Sequence, residues 1–229
     1  MVARVAPFDF DACNQYLEEL LAQTAVSYDA EQLNQLTTLI EMLNTWNGAL
    51  NLTAIKDVRQ MVLLHVVDSA VLVPVLRDLM QQGQNIRTVA DVGTGAGFPG
   101  LVLAILCPDL HFTLIDSVGK KLSFVRQVVA KLNLSNVELI NKRCEEIKHE
   151  PFDCIVSRAF APLERMVGWC LPLLASEGRF VAMKANLEAD EIQAVPITVT
   201  IESVVELQVP TLDAKRQAVI LRHAEAKTE

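Results

Sequence analysis

The stretch ADVGTGAGFPG, residues 90–100, decides the fold of this chain. It closes a short apolar run, TVADV (88–92), and opens another, LVLAILC (101–107). A strand that passes through a glycine turn into a helix is the first half of a strand–helix–strand unit. Gly95, Gly97 and Gly100 satisfy the G-x-G-x-x-G spacing of a dinucleotide turn. The placement argues against that ligand, because in such turns the first glycine follows the strand directly, and counted from Gly93 the third glycine position is Phe98. A turn written Asp-Val-Gly-x-Gly-x-Gly, with Pro99 suited to a first helical position, better fits an adenosine cofactor without phosphates. Gly93, Thr94, Gly95, Gly97 and Phe98 would lie against the adenosine and an amino-acid moiety, and Asp91 would order the loop or meet an ammonium through water. S-adenosylmethionine is the candidate.

Downstream of the turn, strand-like runs alternate with helical ones. FTLID (112–116), VELIN (137–141), FDCIVS (152–157) and RFVAMK (179–184) are separated by helical stretches near 119–132 and 161–174, after the one near 99–107. That rhythm predicts a parallel sheet covered on both faces by right-handed crossovers. After Pro196, ITVTIESVVELQV and QAVILRH predict an antiparallel hairpin at the sheet edge. Asp116 lies about 20 residues beyond the glycines, where an acid accepts ribose hydroxyls. As an exposed acceptor it would be removable at little cost to the fold. Cys144 and Glu145 follow the third strand, where a loop would flank the adenine; Glu145 reads equally as a helix N-terminal acid. Arg158 ends the fourth strand at the edge where open parallel sheets bind ligands, placed to meet the cofactor, a phosphate or an acceptor on the substrate, or to pair with an acid.

Upstream, residues 9–84 read as helices. Asp9 or Asp11 caps the first and Ser27 or Asp29 the second, whose Leu33, Leu36, Ile40, Leu43 and Trp46 form one buried stripe. NGALNLT (47–53) breaks the pattern, and a third helix over about 58–79 is bent or ended by Pro74. QQGQN (81–85) joins a helical extension, 1–84, to a Rossmann-like domain, 85–229. His65, Asp68 and Ser69 share a helix face and read as a buried polar cluster tying the two portions together, a join that Asn51 could also serve; Lys184 faces either substrate or solvent.

Composition excludes other classes. No run of about 18 apolar residues or export signal is present, so a soluble, cytoplasmic protein is expected. Five scattered cysteines without ligand spacing predict neither a disulfide frame nor a metal site. A net charge of −8 argues against indiscriminate coating of nucleic acid. Arg4 is the only basic residue before Lys56, whereas Lys120, Lys121, Arg126, Lys131, Lys142 and Arg143 crowd the region after Asp116. These form either a solvated face or a restricted phosphate-contacting surface.

WNGALNLTAI (46–55), HVVDS (65–69), VADVGTGAGFPGLVLAI (89–105), FTLIDSVGKKLSFVRQV (112–128) and FDCIVSRAFAPL (152–163) occur in this order. Together they resemble the bacterial family that methylates N7 of a guanine in the 530 loop of 16S ribosomal RNA, also called glucose-inhibited division protein B. The likeness runs from about Leu36 to His223. It implies a Rossmann-like S-adenosylmethionine-dependent methyltransferase sheet, mostly parallel with a C-terminal antiparallel hairpin and an N-terminal helical extension. It places cofactor contacts on Gly93, Phe98, Asp116, Ser117, Cys144, Glu145 and Arg158. Family members often carry a basic residue just before the histidine of HVVDS, where this chain has Leu64.

The residues suit that chemistry independently. Guanine N7 carries a lone pair and no proton, so positioning rather than a general base suffices, and Arg158 is the positioning candidate. The Asn/Asp-Pro-Pro-aromatic turn typical of amine methylation is replaced by SRAFAP, and no Pro-Cys turn offers the thiolate of pyrimidine C5 methylation. The expected partner is 16S ribosomal RNA or the small ribosomal subunit, met by a monomer through Lys120, Lys121, Arg126 and Arg143. A methyltransferase for another RNA position or a small molecule, a non-catalytic ribosome-assembly factor, and a nicotinamide enzyme remain as alternatives.

Overall fold

A computed structural model describes residues 8–224, so Arg4 lies outside the described residues. The helical portion opens with α1 (Phe10–Leu21) and α2 (Ala30–Leu50). Asp9 caps α1 by accepting from Ala12 N, and Asp29 with Gln32 makes a reciprocal capping box on α2. Both caps satisfy N–H groups that the first turn of a helix leaves unpaired. Asn47 and Gly48 do not break α2; it ends at Asn51, which adopts a left-handed conformation with its N–H on Asn47 O. The buried Asn47 amide explains the composition there, since it donates to Ile55 O and accepts from Thr53 N, folding the following loop back on the helix. Asn51 is thus an exposed helix cap and not part of the join.

The third helix is segmented. It runs as α3 (Val58–Met61), a π-helical stretch (Val62–Val67), α4 (Asp68–Ala70) and α5 (Leu72–Gln81). The interruption falls at Val71, while Pro74 sits in the first turn of α5, where a missing N–H costs nothing. A wider π turn inside a helix shifts the side chains it carries and those that follow it, here His65 and Asp68.

The sheet follows: β1 (Thr88–Val92), α6 (Gly100–Leu106), β2 (His111–Ile115), α7 (Gly119–Leu132), β3 (Val137–Ile140), β4 (Phe152–Arg158), α8 (Leu163–Cys170), β5 (Leu174–Lys184), α9 (Ala189–Gln193), β6 (Val199–Glu206) and β7 (Gln217–His223). Seven strands lie in the order β3-β2-β1-β4-β5-β7-β6, parallel through β5, with β7 antiparallel to both β5 and β6. β5 begins earlier than its apolar run, because Leu174 pairs with Phe152 before an irregularity that carries the register to Arg179–Cys154. Correspondingly the helix before it stops at Cys170 and gives way to one 3₁₀ turn.

Alternate residues of each strand feed two cores. Val89, Phe112, Leu114, Cys154 and Val156 pack with α1, α2, the third helical segment, α6 and α7, whereas Ala90, Val92, Ile115, Phe152 and Ile155 pack with α8. Each fully buried Leu or Phe in such layers contributes about 1.5–3 kcal/mol. Trp46 belongs to the first core, half-buried against Phe124 at 6.2 Å between ring centroids. All five cysteines are buried and free. Among the described residues no helix is long and apolar enough to cross a membrane. Because strand order reverses between β1 and β4, the fold opens a crevice at the carboxyl ends of these two strands.

Candidate active site

The glycine turn leaves β1 at the crevice. Gly93, Gly95 and Gly97 all have positive φ. At Gly95 (φ 59°) a Cβ would meet nothing nearer than 3.9 Å, so the bare backbone faces open space that a ligand can approach. Asp91 sets the turn: its Oδ2 accepts from Thr94 Oγ1 at 2.5 Å and from Gly100 N at 2.8 Å, tying the start of the turn to the start of α6. Its Oδ1 has no hydrogen-bond partner, and burial pushes the carboxyl up to about 6 against the pull of those two bonds. Asp91 therefore orders the loop.

That shift fixes a pH dependence. A carboxyl with a folded pKa above its unfolded one holds its proton longer in the native state, so its contribution is present below about pH 4 and lost as pH rises through about 6. Thermal unfolding of Asp91→Asn beside wild type is expected to show a Tm difference that moves in the variant's favour between pH 4 and 7. A difference that stays constant over that range would contradict a raised Asp91.

Two cavities meet at the turn and share Gly93 and Ala159. The smaller, about 230 Å³, is walled by Asp116, Ser117, Arg143, Cys144, Glu145 and Trp169. The larger, about 620 Å³, is walled by Thr53, His65, Gly95, Phe98, Arg158 and Arg216. All ten sequence-derived cofactor candidates except Gly97 thus line one or the other. Gly97 instead sits against Leu101, turning the chain into α6.

Asp116 differs from expectation. It is buried, its Oδ2 accepts from Gly95 N at 2.9 Å and its Oδ1 from Val118 N at 2.7 Å. The carboxylate joins the glycine turn to the exit of β2, and lone pairs remain on each oxygen for a ribose. Removing it disturbs both loops, so it is not a free-standing acceptor. Glu145 is exposed in the first turn of a 3₁₀ helix (Cys144–Glu146) and accepts from Cys144 Sγ at 3.3 Å. A hydrogen bond from the Cys170 thiol lowers the Cys144 pKa.

In the larger cavity the helical portion supplies part of the wall, including Thr53, His65 and Asp68. Arg158 Nη1 donates to Leu64 O at 2.8 Å and to Asp68 Oδ2 at 3.0 Å, and its Nη2 lies 3.3 Å from His65 Nδ1. Arg216, from the loop before β7, donates through Nε to Asp68 Oδ1 at 2.7 Å. Two guanidiniums therefore share one carboxylate, leaving a net positive charge at this end of the cleft. Since Arg158 can only donate, His65 Nδ1 accepts and Nε2–H donates to Thr53 Oγ1 at 2.9 Å. Burial first, and Arg158 second, lower the His65 pKa to about 4, so the ring is neutral; it stacks on Phe98 at 4.9 Å. Ser69 Oγ donates back to His65 O at 2.5 Å.

The basic residues do not converge. Lys121 Nζ reaches the turn, within 3.9 Å of the Cβ position of Gly95, and Arg143 borders the smaller cavity. Lys120 and Arg126 are exposed on α7 and line neither cavity. Lys184 lines the larger cavity, with its ammonium tied inward: it donates to Ala161 O at 3.0 Å and Glu191 Oε1 at 2.6 Å. Sequence reading missed Arg216, Thr53, Phe160 and Trp169, which reach the cleft only through tertiary contacts.

The model of the GidB family, described as rRNA small subunit methyltransferase G, matches residues 32–220. The chain belongs to this family. Ribosomal RNA small subunit methyltransferase G of Escherichia coli O17:K52:H18 is 44% identical over 90% of this chain and 96% of its own length. The protein of the same name from Enterobacter sp. strain 638 matches equally, with the same coverage. TrmN from Thermus thermophilus shares the fold, with a TM-score of 0.53 and 18% identity over 71% of this chain and 53% of that one. The matched family region begins in α2 and so takes in His65 and Asp68 as well as the glycine turn.

Proposed function

We propose that this chain transfers the methyl group of S-adenosylmethionine to N7 of a guanine in the 530 loop of 16S ribosomal RNA. One observation carries the reading: the cleft holds a nucleoside-sized compartment on one side of Gly93 and a cationic compartment on the other, and both candidate bases in the second are already engaged by protein partners. His65 spends both ring nitrogens and Asp68 both oxygens on protein partners. A site whose bases are committed to protein partners in this way suits an atom that has no proton to lose.

The cofactor would supply an electrophilic methyl on a sulfonium. Asp116 and Ser117 would receive the ribose, Cys144, Glu145 and Trp169 would border the adenine, and the bare Gly95 backbone would lie along the amino-acid end. Phe98 is held by the His65 ring and faced by Arg158, whose carbon Cζ is 5.6 Å from its centroid. The excess positive charge of Arg158 and Arg216 would attract guanine O6 or a flanking phosphate. Such positioning can contribute about 7–11 kcal/mol to a transfer that needs no base. The target base should lie in a loop, since N7 is inaccessible in the deep major groove of A-form RNA. A ribosomal substrate places the activity in the cytoplasm.

Labelled methyl groups should pass to intact small subunits or 16S RNA and not to a small-molecule pool; binding without any transfer to under-methylated subunits would contradict an enzyme. Arg126→Glu is expected to weaken RNA capture, flattening the slope of affinity against salt by about one charge, with cofactor affinity unchanged. Unaltered RNA affinity across a salt series would remove α7 from the RNA-facing surface.

A further inference from the structure

The segment that leaves β4 is anchored at both ends and strained between them. At its start Arg158 is fixed on Leu64 O and Asp68. At its end Lys184 Nζ holds Ala161 O, and Glu191 Oε1 accepts both from Lys184 Nζ and from Leu163 N at 2.8 Å. Between these points Ala159 adopts φ 49°, a conformation that L residues keep only when their surroundings hold them there. The next residue, Phe160, consequently lies on Gly93 so closely that a Cβ there would fall 2.1 Å from Phe160 Cδ2. The same ring meets Trp169 edge-on at 5.8 Å. Gly93 and Ala159 are the residues common to both compartments, so Phe160 stands at their seam.

Glu191 itself is remote from this seam. It belongs to α9, a five-residue helix that buries none of its own residues, and it lines neither cavity. The Lys184–Glu191 pair is nevertheless well shielded, at 16% and 18% side-chain exposure. We infer that Glu191 is a positioning residue for methyl transfer: through Lys184 and Leu163 it clamps the Ala159–Phe160 turn, which presses Phe160 onto Gly93 and sets the width of the seam that the cofactor must span. The inference rests on assigning this cleft to the adenosyl cofactor. With the clamp released, Ala159 relaxes, Phe160 lifts from Gly93, and the methyl-bearing end is held less closely in line with its target.

The test uses the full-length protein carrying Trp46→Phe, which leaves Trp169 as its only tryptophan. Glu191→Ala should slow single-turnover transfer about tenfold or more, a fraction of what a 1 Å misplacement can cost. It should also weaken S-adenosylhomocysteine binding severalfold and make Trp169 more open to acrylamide quenching. Glu191→Gln, which keeps an oxygen for both donors, should stay within about threefold of the parent. If Glu191 acts through Phe160, then removing it from a Phe160→Ala protein should cost no further rate. The inference is overturned if Glu191→Ala leaves rate, ligand affinity and quenching within about twofold, or if it costs as much without Phe160 as with it. Should Glu191→Ala not fold, the Glu191→Gln quenching and affinity values decide, and values far from the parent's overturn the role given to its oxygen. Ligand binding and quenching are read without RNA, so they stand whichever nucleotide is methylated. A parent protein unable to bind S-adenosylhomocysteine would remove the cofactor reading and this inference with it.

Discussion

Asp68→Ala should lower stability by about 3–5 kcal/mol, the cost of stranding a buried charge by removing its partner. The Asp68 side chain is 5% exposed and each oxygen receives an arginine, at 3.0 Å from Arg158 and 2.7 Å from Arg216. Its loss leaves two guanidiniums, 17% and 20% exposed, facing one another across the same space. Both border the larger cavity and can partly rehydrate there, which favours the lower part of that range. For a protein of this size the Tm should fall by roughly 10 °C. Asp68→Asn, which keeps one acceptor, should lose less. A Tm within about 2 °C of wild type for the alanine variant would show that the extension and the sheet do not depend on this carboxylate.

Asp116→Ala should separate less cleanly into binding and folding than its place at a strand end suggests. Two charge-assisted bonds to a ribose, each worth about 1.5–3 kcal/mol, make an affinity loss for S-adenosylhomocysteine of about 10²-fold or more the expected result by calorimetry. The same substitution strands Gly95 N and Val118 N, so stability should fall as well, by about 1–3 kcal/mol. Affinity unchanged within twofold would mean that the ribose is held elsewhere; a full loss of affinity with no change in Tm would mean that the two loops do not rely on Asp116.

The sheet was legible because its strands are short apolar runs alternating with helical ones, and a parallel sheet buried on both faces requires such runs. The glycine turn was legible as well, since Asp91, Thr94 and Gly100 lie within residues 90–100 and their contacts are local. Helix interruptions were less so. Asn47 and Gly48 look like breakers, yet the Asn47 amide serves the loop that follows, and Pro74 looks like a kink yet opens a helix. The larger cavity was hidden for a different reason: Arg216 meets Asp68 across 148 positions, and Arg158 meets Leu64 across 94. No periodicity encodes such pairs. The pairing of Lys184 was hidden because its partner, Glu191, belongs to a helix too short to show a pattern.

The most direct measurement is a chemical one on the RNA. N7-methylguanosine sensitises its strand to reduction and aniline cleavage, so 16S RNA from cells with and without this protein can be compared break by break. One break inside the 530 loop, present only where the protein is present and lost in cells carrying Asp116→Ala, is the expected outcome. Identical cleavage patterns from the two kinds of cell would contradict guanine N7 as the atom this cleft serves.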